Sequence, residues 1–139
     1  MWPQMIFLVI AIIAVALLAL VAMVLGGKHR HEFDVQAYQT RWLKIENGLN
    51  KTNQSSYNFA VLEADKLLGC ALEEMGIPGK TMGERLKRIG DGLPNISRVW
   101  YAHRLRNQIA HESDFRLKYD QARQALSIFK QALKDLGAI

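Results

Sequence analysis

MIFLVIAIIAVALLALVAMVL, residues 5–25, contains no charged side chain and consists only of Met, Ile, Phe, Leu, Val and Ala. At ~1.5 Å per residue such a run is about as long as the ~30 Å hydrocarbon core of a bilayer is thick. A helix satisfies every backbone N–H and C=O within its own segment, which is what the interior of a membrane demands. The run is apolar on all sides, so it lacks the polar stripe of a helix lying on a soluble core. These residues are therefore read as a single transmembrane helix in contact with lipid, and everything else in the chain is read outward from it.

A cleaved signal peptide is the rival reading. It calls for Lys or Arg at its start, a shorter apolar region and a small-x-small cleavage site. No basic residue precedes Lys28, and a cut after Ala22 would leave Leu20 at a position that wants a small side chain. The anchor reading is preferred, and charge sets its orientation. Lys28, His29, Arg30 and His31 follow the span directly and nothing basic precedes it. Basic flanks stay on the cytoplasmic side. The expected arrangement in the cell membrane is a short N-terminus outside, with Trp2 at the interface, and a cytoplasmic C-terminal domain. The chain then divides into an anchor (1–27), a basic juxtamembrane linker (28–34) and a soluble domain (35–139). His29 and His31 have metal-ligand spacing, but no further ligands accompany them, so they are read as part of a basic collar and no metal is expected.

All 18 Lys and Arg residues lie beyond the span, so the formal net charge of +5 belongs to the soluble part. That excess suits anionic partners, phospholipid head groups or RNA. The single cysteine, Cys70, excludes an internal disulfide framework and fits a reducing compartment. Asn50, Asn53 and Asn95 open N-x-S/T triplets, which carry no meaning in a cytoplasmic domain.

Beyond the linker, apolar residues recur at helical steps. Val35, Tyr38, Trp42, Ile45 and Leu49 share one face, with Asp34 as cap. A polar loop from Asn50 to Ser56 follows, and Ser55 is expected to cap a second helix whose stripe is Tyr57, Val61, Ala64, Leu68, Ala71 and Met75 and whose stop is Gly76. Thr81 and Glu84 form a capping box for a short helix that buries Met82, Leu86 and Ile89. The Gly79-Lys80-Thr81 triplet imitates the end of a phosphate-binding loop, but Glu74 stands where the first glycine belongs and a helix precedes it. Asn95 or Ser97 is expected to start a helix reaching about Ala110, and a last helix repeats Tyr119, Ala122, Leu126, Phe129, Leu133 and Leu136. No strand pattern competes. The fold class is all-α, a single transmembrane helix followed by a four- to five-helix bundle.

The segment Val99 to His111 concentrates Arg, His, Asn and aromatic side chains. Helical geometry places Ala102, Leu105 and Ile109 on its core face, with Val99 and Ala110 at the border. Arg106 falls inside that apolar arc and so requires a carboxylate on a neighbouring helix or a ligand in a groove. His103, Asn107 and His111 lie one turn apart on the adjacent face. His103 and Arg104 are read as exposed, either a phosphate-binding strip or a solvated face. Trp100 and Tyr101 are candidates for stacking on bases, for an interface, or for burial.

Arg106-Asn107-Gln108-Ile109-Ala110-His111 resembles the arginine, polar residue, short spacer, histidine signature of HEPN domains, small helical bundles that often work as homodimeric ribonucleases. Leu62 to Leu68 and the turn-helix from Pro78-Gly79 to Arg85 also look like that bundle, and the resemblance runs from Val35 to Leu136. In catalytic members it implies metal-independent RNA cleavage in a cleft shared by two protomers, with the 2′-hydroxyl attacking its own phosphate. His111 would then be the acid or base, Arg106 the phosphate stabiliser and Asn107 an orienting group. It implies a homodimer and RNA as partners and no cofactor. Many members of the superfamily do not catalyse, and the alternative is an interaction or RNA-binding module in which Arg106 pairs with Glu63 or Asp65 and His111 meets the negative end of its helix. The anchor and the acidic Glu112 and Asp114 beside His111 depart from the catalytic pattern.

Overall fold

The computed structural model describes residues 2–25 and 31–139 of the chain, so Lys28, His29 and Arg30 of the basic collar lie outside the described residues. Two units emerge, one ending at Glu32 and one running from Phe33 to Ile139. The first is a single helix, α1 (Trp2–Leu25), with Pro3 in its first turn, where no intrahelical donor is lost. Its 24 residues span about 36 Å, and none is buried. Among the described residues it is the one helix long and apolar enough to cross a membrane.

The second unit is a bundle of five helices: α2 (Val35–Gly48), α3 (Gln54–Glu74), α4 (Met82–Ile89), α5 (Ile96–His111) and α6 (Tyr119–Leu136), with a 3₁₀ turn at Gly90–Gly92 between α4 and α5. No strand occurs among the described residues, so the all-α reading holds. The end signals are local chemistry. The Asp34 carboxylate accepts from the Ala37 N–H at 3.1 Å and starts α2. Thr81 Oγ1 accepts from the Glu84 N–H, while the Glu84 carboxylate reaches back to Lys80 N–H at 2.6 Å, one residue upstream of the usual capping-box donor. The second helix begins earlier than the polar run suggested: Asn53, not Ser55, is the cap, accepting from Ser55 N–H. Ser55 itself is helical because Asn53 is the first side chain placed to serve the orphan amides, and Ser56 turns its hydroxyl back onto Asn50 and Asn53.

α3 stops as expected at Gly76, which adopts φ +80. Its N–H bonds to Glu73 O and that of Ile77 to Leu72 O, closing the left-handed C-terminal motif that favours glycine. A Cβ there would meet nothing within 4 Å, so replacement is a pure backbone test. Gly76→Ala is expected to cost about 1–2 kcal/mol, read as a shift of the thermal midpoint, with no change of fold.

α3 is the hub. It packs against α2, α4, α5 and most extensively α6. A helix surrounded this way buries more than one stripe. To the expected Tyr57, Val61, Ala64, Leu68 and Ala71 the structure adds Ala60, Leu67 and Leu72, while Met75 is only partly buried. The α6 stripe is buried from Ala122 through Leu136, joined by Ala125, Ile128 and Ala132, with Tyr119 half-exposed at its start. Leu86 is the fully buried residue of α4, and Met82 and Ile89 pack partly against the core. Phe33, within the stretch read as linker, is buried edge-on to Tyr38. Burial raises the Tyr38 phenol well above its ordinary range, and its 2.6 Å bond to the Glu74 carboxylate raises it further, so it stays a donor linking α2 to the end of α3.

Candidate functional site

α5 buries Val99, Ala102 and Leu105 as its spacing requires, whereas Ile109 is half-exposed and Ala110 exposed, because the last turn of α5 runs past the partners that cover the rest. The neighbouring strip His103, Arg106, Asn107 meets α3 at Asp65. Asp65 is 3% exposed, a carboxylate inside the core that needs partners. Its Oδ1 lies 2.7 Å from His103 Nδ1 and its Oδ2 3.5 Å from Arg106 Nε. On the far side of the imidazole, His103 Nε2 is 3.3 Å from Asn107 Nδ2, and Asn107 Oδ1 accepts from Arg106 Nη1 at 3.1 Å.

These four side chains close a ring of three hydrogen bonds and one ion pair. The donors fall into one consistent set: Asp65 accepts, so His103 Nδ1 bears the hydrogen, its Nε2 accepts from the Asn107 amide, and the amide oxygen is left for arginine. Both nitrogens of His103 and both ends of the Asn107 amide are thereby engaged.

His103 is 7% exposed, so its reading as a surface residue is corrected. Periodicity placed it at the edge of the core face, and the buried acceptor on α3 draws it in. It forms the floor of the groove. Arg104 is exposed on the side of α5 away from Arg106, bordering a second groove with Tyr101, Asn107, Gln108 and His111. Arg106, Asn107 and His111 do meet on one open groove of about 650 Å³ between α5 and the start of α4. Lys80, Lys87 and Glu84 border it from the α4 side and Trp100 from the α5 side. Trp100 is half-buried and stands edge-on to His103, 5.9 Å between ring centroids, while Tyr101 is half-buried against the core. Gly83 brings the first turn of α4 close to both: a Cβ there would lie 3.8 Å from His103 Nε2 and from Trp100 Cη2.

The Arg106 side chain is 35% exposed. With Nε facing Asp65 and one Nη1 hydrogen on Asn107, three of its five N–H groups are committed to neither. His111 ends α5 and is exposed on the rim, with Glu112 and Asp114 exposed just beyond. Of the two carboxylates named for Arg106, Asp65 is the partner; Lys80 enters the sequence reading only through the rejected Gly79-Lys80-Thr81 triplet and Lys87 not at all, although a lysine immediately before the Thr81 cap is the signal that places one beside a helix start. Among the described residues no three His, Cys, Asp or Glu side chains converge as metal ligands. Comparison with family models, with curated proteins and with solved structures finds no match for this chain.

Proposed function

We propose that the chain is a single-pass membrane protein, N-terminus outside, whose HEPN-like bundle binds RNA in the cytoplasm through the groove between α4 and α5. The observation that carries this reading is Arg106, oriented by Asp65 and Asn107, with unused donors on the same groove as Lys80 and Lys87. An oriented guanidinium flanked by ammonium groups suits phosphodiester oxygens, and half-buried Trp100 supplies an aromatic wall beside them. The all-apolar α1 and the one-sided basic flank support the anchor and its direction.

A second reading, metal-independent cleavage of RNA, is favoured by the exposed His111 on the rim of that groove. Both nitrogens of His103 are engaged, so His111 is the free imidazole of the motif, and proton transfer at both the attacking and the leaving oxygen calls for the His111 of a second chain.

The test uses the full chain in neutral detergent with a fluorescent single-stranded RNA and no divalent metal. Binding that weakens steeply with salt, and is reduced by Lys80→Ala and Lys87→Ala, is the expected result. Absence of binding at low salt refutes the RNA reading. Cleavage products that vanish in His111→Ala would move the conclusion to the nuclease. In sealed membrane vesicles the bundle should partition with carbonate-resistant protein and be digested by protease only from the cytoplasmic face.

A further inference from the structure

Asp65 never reaches the groove. It is buried in α3, and both its oxygens are occupied by residues of α5, so whatever it does for a ligand it does through His103 and, nearer the opening, the part-exposed Arg106. Two consequences follow from its position. The first is electrostatic: the carboxylate lies 3.5 Å from Nε, so a phosphate on the outer side of the guanidinium meets a paired charge and not a free one. The free positive charge of the groove comes from Lys80 and Lys87, set against Glu84. The second is geometric. A guanidinium is planar, and contacts at Nε and Nη1 from two different side chains fix both its position and the plane in which its remaining N–H groups point.

We propose that Asp65 is a positioning residue that converts Arg106 from a mobile charge into an aimed, charge-compensated hydrogen-bond fork for one RNA phosphate. This rests on the RNA-binding reading. The lysines then supply the salt-dependent attraction common to any polyanion, and Arg106 supplies recognition of where a phosphate stands. His103 completes the frame, since it bonds to both Asp65 and Asn107, the two groups that hold Arg106.

Bare electrostatics and positioning predict opposite signs for one substitution. Asp65→Asn removes a negative charge beneath the groove, which should tighten RNA binding if charge alone matters. It keeps an oxygen for His103 Nδ1–H but turns an amide N–H₂ toward Arg106 Nε–H, so the fork is released. The experiment titrates the full chain in neutral detergent with a single-stranded RNA 12-mer over a range of salt concentrations. Expected are a roughly tenfold loss of affinity for Asp65→Asn with a steeper salt dependence, and a comparable roughly tenfold loss for Arg106→Lys, which keeps the charge and lacks the fork, with the salt dependence unchanged. Lys87→Ala should flatten the slope of log K against log salt by about 0.7. Tighter binding by Asp65→Asn, or Arg106→Lys indistinguishable from the parent chain, overturns the proposal.

Failure of the parent chain to bind RNA overturns the RNA reading and the phosphate role together. The aiming of Arg106 is then read separately from the ¹⁵N-resolved Nε–H signal, expected to be slow to exchange in the parent chain and fast in Asp65→Asn. Equal, fast exchange in both removes that part as well. Should Asp65→Asn fail to fold by circular dichroism, Arg106→Lys and the parent Nε–H signal decide the matter.

Discussion

Phe129→Ala is expected to lower the stability of the bundle by about 3–5 kcal/mol, measured by urea unfolding of the chain in neutral detergent. Phe129 lies in α6, is 0% exposed and heads the largest fully buried side chains. It is enclosed in the core on a helix that packs against both α3 and α5, so the void left by its ring is not closed by a small shift of one element. Set against a net stability of order 5–15 kcal/mol for a domain, that loss is a substantial part of the whole. A change below about 1 kcal/mol would mean that the α3–α6 seam is not packed as described here.

The second large effect comes from a polar residue. Asp65→Ala is expected to cost about 2–4 kcal/mol, because it strands the His103 Nδ1–H in a ring that water hardly reaches and leaves a void beside it. Arg106 adds less to that figure. Its side chain is 35% exposed and can swing to water once its partner is gone, so the lost ion pair is discounted. With roughly 4–8 °C per kcal/mol for a domain near this size, the thermal midpoint should fall by about 10–25 °C. If it moves by no more than a few degrees, the ring of Asp65, His103, Asn107 and Arg106 does not carry the structural weight assigned to it.

How far the sequence reveals this architecture depends on the residue. α2 and α6 are amphipathic helices whose apolar period largely sets the burial pattern; Tyr38, Trp42 and Ile45 are buried as their spacing says, while Val35 in the first turn of α2 is exposed and Leu49 just past its end is half-buried. α3 is different. Ala60, Leu67 and Leu72 fall off its main stripe and are buried only because helices lie on several sides of it, a fact of tertiary arrangement that no local period encodes. The start of α3 is ambiguous in sequence for a more local reason: Asn53, Ser55 and Ser56 are all competent caps, and propensity does not rank neighbours two residues apart.

The site divides in the same way. That Arg106 needs a carboxylate followed from its place within an apolar arc. That the carboxylate is Asp65, and that the same residue pulls His103 under the surface, requires pairing across a long stretch of sequence, 38 residues in the case of His103. Arg104, two residues before Arg106, points away from it because two helical steps, about 200° in all, carry it round the cylinder. Lys80 and Lys87 reach the groove because α4 enters beside α5; its short span after the Thr81 cap is legible in its own residues, but its placement against α5 is not.

The central place of α3 bears on how the chain is made. Synthesis proceeds from the N-terminus, so α3 leaves the ribosome well before α6, the helix that covers most of it. Until α6 has emerged, the part of α3 that it covers has no lasting cover. The nascent bundle therefore passes through an interval with an uncovered greasy flank, in which self-association competes with completion, and the late arrival of a single C-terminal segment ends it.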